Sequence, residues 1–347
     1  MKNLCLFSLA VLASFSCGQA RKGDAVKLSG AGATFPAPFY NVICKEYAKT
    51  SGNEVTYGGI GSGGGIRSLT DKTVDFGATD VFLSEAEMKE TGAEVIHIPT
   101  ALGAVVVSYN LKDVKDLKLT AGLISAIYRG EIKHWNDPRI QAINPGLRLP
   151  GKGITPVYRS DGSGTTAVFS EYMSKADSLW KETIGEGKSL SFPAGVAAKG
   201  NPGVAGILAG TEGSIGYIGS EYALALNLPS ALLQNRSGNF VTAGSKNITA
   251  SAHAGIPADT RVSIVDSPVS EAYPISTFTW IIAYREQSYN KRTKANALAL
   301  VDLLRYIISD EGQDIASRTY YAPLPPAARE KAGAIIRSIT FDGEELF

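Results

Sequence analysis

Along most of the chain, short apolar runs bounded by Gly, Asn or Asp alternate with stretches whose apolar residues recur at helical spacing. Val26–Ser29, Val55–Ile60, Phe76–Ala78 and Ala104–Tyr109 read as strands. Pro38–Lys49, Gly65–Thr70, Leu123–Arg129 and Thr166–Lys175 read as helices, the first with Pro38 in its opening turn. Further strands are expected at Ile215–Ile218 and Thr277–Tyr284, and helices at Ala295–Ser309 and Glu311–Arg318. Alternation of this kind predicts an α/β fold with mixed or largely parallel sheets. Two stretches are candidate crossings between lobes. One is the apolar run Val95–Tyr109, broken at Pro99 and Gly103; the other is Asp266–Pro274, which leads into an apolar strand. Two crossings would return the C-terminal part to the first lobe, giving 21–102 as its first part, 103–272 as the second lobe and 273–347 as the remainder of the first.

The N-terminus breaks the pattern. Lys2 precedes an apolar run from Leu4 to Phe15, interrupted only by Ser8 and Ser14. That run is too short to span a bilayer and has the build of a signal segment over residues 1–20. Two processing sites compete: cleavage after Ala20, or cleavage before Cys17 with lipidation of its thiol, although Ser14-Phe15-Ser16 is an unusual lead-in to a lipidated cysteine. In either case Cys44 is left alone, on the apolar face of a helix, where a small buried thiol is expected rather than a nucleophile.

Composition narrows the partners. With 34 Lys+Arg against 33 Asp+Glu the formal net charge is +1, so no broad basic field for nucleic acid exists and any anion must be caught locally. The 37 glycines in 347 residues are about 11%, above the ~7% average, which points to tight turns and close backbone approaches.

Four of the glycine-rich stretches also carry hydroxyls and stand between a strand and a helix. They are Gly30-Ala31-Gly32-Ala33-Thr34-Phe35-Pro36, Gly61-Ser62-Gly63-Gly64-Gly65, Gly77-Ala78-Thr79-Asp80, and Arg159-Ser160-Asp161-Gly162-Ser163-Gly164-Thr165-Thr166. The first N–H groups of a helix lack internal partners and carry partial positive charge, so they bind anions. Gly permits close approach there, and Ser and Thr add neutral donors. A single such loop is equally an ordinary turn, and Thr34 equally an N-cap. Arg159 can be read as a core partner of Asp161 or, beside Ser163, Gly164 and Thr165, as the charged donor of an oxyanion cradle.

Enzyme readings fare poorly. No Gly-Lys-Ser/Thr completes a P-loop, and Ile60 and Asp161 stand where a nucleophile elbow at Ser62 or Ser163 needs Gly. His97, His134 and His253 are far apart and form no metal pattern. His134 beside Trp135 reads as a surface or packing residue, and Asp137 before Pro138 as a turn. No metal, cofactor or catalytic residue is expected.

From about Lys27 to Phe347 the chain resembles the substrate-binding proteins of bacterial phosphate ABC transporters. The resemblance rests on GAGATFPAPFY (30–40), GGIGSGGGI (58–66), VDFGATD (74–80), GEIKHWNDPRI and NPGLRLP (130–150), RSDGSGTT (159–166), KGNPGV (199–204), GSIGYI (213–218) and YPISTFT (273–279). It implies a two-lobed periplasmic binding protein fold of type II, each lobe a mixed sheet flanked by helices, with the ligand in the cleft. It implies an exported, periplasmic or envelope-attached monomer that captures inorganic phosphate for the permease subunits of the transporter. By position, Thr34 and Phe35 match the donors of the first loop and Ser62 that of the second. Asp80 matches the ligand-contacting carboxylate, Arg159 the cationic donor, and Ser163, Gly164 and Thr165 the third loop, with Asp161 holding Arg159. The sequence departs from the resemblance at Glu90–His97, at Asn235–Ser267 and in the extra Cys17.

Asp80 gives such a cradle its selectivity. An ionised carboxylate only accepts hydrogen bonds, so it needs a proton on the ligand. Phosphate near neutral pH keeps one or two protons; sulfate has none and would meet like-charge repulsion of several kcal/mol. The rival readings are a secreted phosphatase of the same fold and a binder of another tetrahedral oxyanion.

Overall fold

The computed structural model describes residues 25–253 and 255–346; the expected signal segment, with Cys17 and Ala20, lies outside them. In chain order the elements begin with β1 (Lys27–Gly32), α1 (Ala37–Ser51), β2 (Glu54–Gly59), α2 (Ser62–Thr70), β3 (Phe76–Thr79), α3 (Glu85–Glu90) and β4 (Val95–Tyr109). Next come β5 (Lys118–Leu119), α4 (Ala121–Tyr128), α5 (Pro138–Ile143), β6 (Thr155–Arg159), α6 (Gly164–Ala176), α7 (Ser178–Thr183), β7 (Val196–Ala198), α8 (Gly200–Gly210) and β8 (Ser214–Gly219). The chain continues through α9 (Ser220–Ala225), β9 (Leu232–Gln234), β10 (Phe240–Val241), α10 (Ser245–Ser251) and β11 (Ser276–Tyr284). It closes with α11 (Lys294–Ile308), α12 (Asp310–Arg318), α13 (Pro326–Arg337), β12 (Thr340–Phe341) and β13 (Glu344–Glu345).

Eight strands run in the order β2-β1-β3-β11-β4-β8-β6-β7. Pairing is parallel for β1 with β2 and β3, and for β6 with β7 and β8; it is antiparallel wherever β11 or β4 takes part. The fold is therefore mixed α/β and two-lobed, and β4 belongs to both lobes. Its residues 95–104 pair with β11, and Val105 to Tyr109 pair with β8. The second connection lies alongside, where Val105 N donates to Ile275 O at 2.9 Å just before β11 begins.

The two residues expected to break this stretch do not. All fifteen residues of β4 are buried in one strand. Pro99 has no N–H to give, and the ladder absorbs this with a bulge: Trp280 faces Pro99 and Thr279 faces Ala101, leaving Thr100 as the extra residue. The Thr100 hydroxyl then joins Thr279 O at 3.1 Å and Tyr40 Oη at 2.8 Å. Gly103 is a matter of space, because a Cβ there would stand 2.4 Å from Cζ of the Phe35 ring.

The helices follow their apolar stripes. In α1, Phe39, Tyr40, Ile43, Cys44 and Tyr47 are buried at intervals that share one face, and Gly52 ends the helix at φ 77°. In α11, Leu300, Val301, Leu304 and Ile307 do the same behind a capping box from Thr293 and Asn296. Cys44 is buried among the core residues, and burial pushes its thiol up to about 12, far from a reactive thiolate. Trp135 is buried while its neighbour His134 is exposed, and Asp137 caps α5 by accepting from Arg139 N at 2.9 Å. Among the described residues no helix is long and apolar enough to cross a membrane, and no group of three His, Cys, Asp or Glu could hold a metal.

A candidate anion site between the lobes

The loops singled out in the sequence meet in one place. Thr34 and Phe35 precede α1, Ser62 opens α2, and Ser163 caps α6, whose first residues are Gly164 and Thr165. Asp80 follows β3, and Arg159 ends β6. A Cβ on Gly164 would lie 2.4 Å from Ser62 Oγ and 2.7 Å from Asp80 Oδ2, which places loops from both lobes in direct contact. Gly61, at φ 89°, adopts a backbone that other residues rarely take, and a Cβ there would strike Asp161 Oδ2 at 2.4 Å. Gly63 N donates to Gly162 O at 2.9 Å across the same gap. Any larger residue at 61 or 164 would hold the lobes apart.

All eight expected contact residues are withdrawn from solvent: Thr34, Phe35, Ser62, Asp80, Arg159, Ser163 and Thr165 are each 5% exposed or less, and Gly164 is buried too. Their hydrogen bonds leave donors spare. Thr34 Oγ1 accepts from Asn201 N (3.1 Å) and Asn201 Nδ2 (3.0 Å). Thr165 Oγ1 accepts from Arg159 Nη1 (3.3 Å) and Asn201 Nδ2 (3.1 Å). Ser163 Oγ accepts from Thr166 N (2.9 Å). A hydroxyl has one proton and two acceptor positions. Thr34 and Thr165 have both acceptor positions filled by the protein and Ser163 one of two, and with no protein acceptor for their protons among the described residues all three groups are able to donate. The N–H groups of Phe35, Ser62, Gly164 and Thr165 likewise have no protein acceptor among the described residues. The N–H of Ser163 differs: it is spent on Lys188 O at 2.8 Å.

Arg159 is held as a fork. Its Nε and Nη2 donate to Asp161 Oδ1 and Oδ2 at 2.8 and 2.5 Å. Asp161 Oδ1 also accepts from Gly200 N at 2.9 Å. Burial raises the Asp161 carboxyl, but its bonds to Arg159 outweigh that and leave it below the usual range. The two readings of Arg159, core partner and cradle donor, are thus compatible: Asp161 uses two of five N–H donors and orients the rest.

Asp80 stands in contrast. It is 1% exposed, and Oδ1 accepts from Thr279 Oγ1 at 3.0 Å. Burial pushes it up to about 7, with Thr279, Arg159 and Ser62 pulling the other way. Its carboxyl therefore exchanges a proton near neutrality, in a chamber otherwise lined with donors.

Asn201, the residue joining the lobes on the far side of this chamber, was not foreseen. It is fully buried at the start of α8, bridges Thr34 to Thr165, and fixes its own orientation by accepting Gly219 N on Oδ1 at 3.0 Å. It lies in the KGNPGV stretch, whose Gly-Asn pair was the available signal. Tyr222 Oη adds a bond to Thr34 O at 2.7 Å, and Lys188 of the second lobe pairs with Glu87 of the first.

Fold and chamber together define a two-lobed binding protein that shuts helix N-termini around a small anion. Residues 18–311 match the model of the PBP superfamily domain. A phosphate-binding protein PstS of Xylella fastidiosa is 38% identical over 312 residues, covering 88% of this chain and 84% of that one. PstS of Haemophilus influenzae is 38% identical, with 87% and 90% covered. That of Methanocaldococcus jannaschii is 35% identical, with 84% and 80% covered. This chain belongs to the family of the PstS phosphate-binding proteins. Its fold is also that of solved structures of lower identity. A high-affinity periplasmic phosphate-binding protein with bound phosphate superposes with TM-score 0.71 at 21% identity, over 89% of this chain and 93% of that one. One from Stenotrophomonas maltophilia gives 0.69 at 18%, over 89% and 94%.

Proposed function

We propose that this chain captures inorganic phosphate outside the cytoplasm and delivers it to the permease subunits of an ABC-type importer. The chamber supports that reading through one observation: spare N–H and O–H donors from both lobes surround the buried carboxyl of Asp80. Donors alone would hold any tetrahedral oxyanion. A carboxyl among them selects a ligand that brings its own proton. The direct contacts are Thr34, Phe35, Ser62, Asp80, Arg159, Ser163, Gly164 and Thr165, with Asp161 positioning Arg159. The neutral donors and helix-terminal dipoles spread the compensation of the anion's charge, so one guanidinium suffices.

The lobes are divided at 102/103 and 272/273, a reading supported by the change of partner along β4 two residues later, after Ala104, and by the start of β11 at Ser276. The protein acts as an exported monomer without catalysis, either free after cleavage following Ala20 or tethered through a lipid on Cys17. Calorimetric titration of the protein lacking residues 1–20 with phosphate, arsenate and sulfate tests this. Above neutral pH, tight binding of the first two and none of the third is expected, together with no hydrolysis of an aryl phosphate. Absence of phosphate binding would overturn the reading.

A further inference from the structure

A second buried carboxyl faces the same cleft and plays no part in the cradle. Glu221, in the first turn of α9, is 2% exposed, and among the described residues no side chain or backbone group is placed to give either carboxyl oxygen a well-formed hydrogen bond. The carboxyl is folded back over Gly219, where a Cβ would fall 2.0 Å from Oε1. Gly219 is the residue whose N–H orients Asn201, so Glu221 sits directly behind the bridge between the lobes.

Burial, the largest effect, opposes a negative charge here and Asp80 adds to it; together they outweigh its own backbone N–H and Tyr321, which favour the charged form. The titratable groups that face it are Tyr321 from the segment after α12, Asp80 from the end of β3, and its own neighbour Tyr222; Tyr40 of α1 stands behind Tyr321. The cation of the cluster, Arg159, is forked onto Asp161. Tyr321 is not free to donate, because its single proton goes to Phe35 O at 2.5 Å. Its oxygen can only accept, and a carboxylic acid would supply the proton that an ionised carboxylate lacks. An unpaired buried carboxylate is far more costly than a neutral acid at the same place.

Those neighbours come from opposite lobes. Glu221 and Tyr222 follow β8 in the second lobe, whereas Asp80, Phe35 and Tyr321 belong to the elements gathered on β1, β3 and the first part of β4. Parting the lobes would withdraw Asp80, Phe35 and Tyr321 and admit water to Glu221. We propose that Glu221 takes up a proton as the lobes close, so that anion capture draws one proton into the protein at a place separate from the ligand and from Asp80. The carboxyl ionises in the open form and is neutral in the closed form, where burial first, and Asp80 beside it, hold it well above the usual range. Closure is therefore favoured at low pH. Above the ordinary carboxylate range this one group weakens capture by up to about tenfold per pH unit, until the closed form itself ionises.

The test rests on the phosphate reading for its ligand, and failure of wild-type protein to bind phosphate would be seen separately. Titration with inorganic phosphate at about pH 7.5, in buffers of different ionisation enthalpy, counts the protons taken up on binding. Wild-type protein should take up more than Glu221→Gln, by as much as one. Equal uptake by two proteins that both bind phosphate would overturn the proposal. Carbon-13 NMR of protein labelled at glutamate carboxyls needs no variant and excludes Asp80. In the phosphate-loaded protein one glutamate should stay protonated through neutral pH, and in the phosphate-free protein it should titrate lower. Full ionisation of every glutamate in the loaded protein would equally overturn it.

Discussion

Arg159 grips both oxygens of Asp161, at 2.8 and 2.5 Å, yet keeps donors to spare for the chamber. The charge that faces an incoming anion is thus aimed by a carboxylate which itself repels that anion. Removing either residue tests this arrangement. Arg159→Ala deletes a charge-assisted donor and leaves the half-buried Asp161 without its cationic partner. Charged hydrogen bonds contribute about 1.5–3 kcal/mol, so phosphate affinity should fall on the order of tenfold to a hundredfold. Asp161→Asn loosens the guanidinium but also removes a negative charge, and the two effects oppose each other. Calorimetry should show a smaller loss than for Arg159→Ala.

Asn201 joins Thr34 to Thr165 and so turns both hydroxyl protons towards the chamber. Asn201→Ala leaves both oxygens with free acceptor positions, and the hydroxyls can turn away. A loss of about 1–2 kcal/mol, roughly tenfold in affinity, is expected. The crystal structure of the variant should show Thr34 or Thr165 rotated. Unchanged affinity would make Asn201 a packing residue only.

The Glu87–Lys188 pair ties α3 of the first lobe to the loop after α7 of the second. Glu87 also completes the capping box of α3 with Ser84, and Lys188 O accepts from Ser163 N, so both ends are anchored. Lys188→Ala should speed phosphate release with little change in the rate of capture. The difference from wild type should shrink at high salt, as for a partly exposed pair worth about 1 kcal/mol or less. Stopped-flow measurement of release at low and high ionic strength checks it.

His97 is 2% exposed, and its Nε2 accepts from Leu83 N at 3.1 Å, pinning the loop after Asp80. Burial, aided by Arg261, pushes it from 6.5 down to about 3. Below the unfolded value the unfolded chain gains a proton that the folded chain refuses. Stability should therefore decline as pH falls from about 6.5 towards 3, by about 2 kcal/mol between pH 7 and pH 5. Urea unfolding should show this slope in wild type and a flatter one in His97→Gln.

Much of the site was legible because anion binding by helix N-termini needs Gly and hydroxyl residues at a few contiguous positions. Thr34, Ser62 and the 159–166 loop carry that mark locally. The residues that join those loops do not. Asn201 acts through a bridge between positions far apart in the chain, and an Asn after a Gly is also an ordinary turn. Glu221 looks like a surface residue in the first turn of a short helix, and only the packing of Tyr321 and Gly219 buries it. The fold shows the same limit. Pro99 and Gly103 read as breaks, since local rules give Pro no place in a central strand. Thr100 and Phe35 supply the bulge and the ring that make those two residues fit, and both depend on contacts the local pattern does not contain.

Asp80 carries the claim that the chamber reads a proton on its ligand, and calorimetry with phosphate and sulfate, for wild type and Asp80→Asn across pH, tests it most directly. Because Asp80 is poised at about 7, wild-type protein should reject sulfate most strongly above that pH. Some sulfate binding should appear as pH falls through it, when the neutral acid can donate to a ligand that has no proton. In Asp80→Asn, sulfate should bind at every pH, and the gap to phosphate should narrow by about tenfold or more. A variant that rejects sulfate as strongly as wild type, with phosphate still bound, would contradict the account.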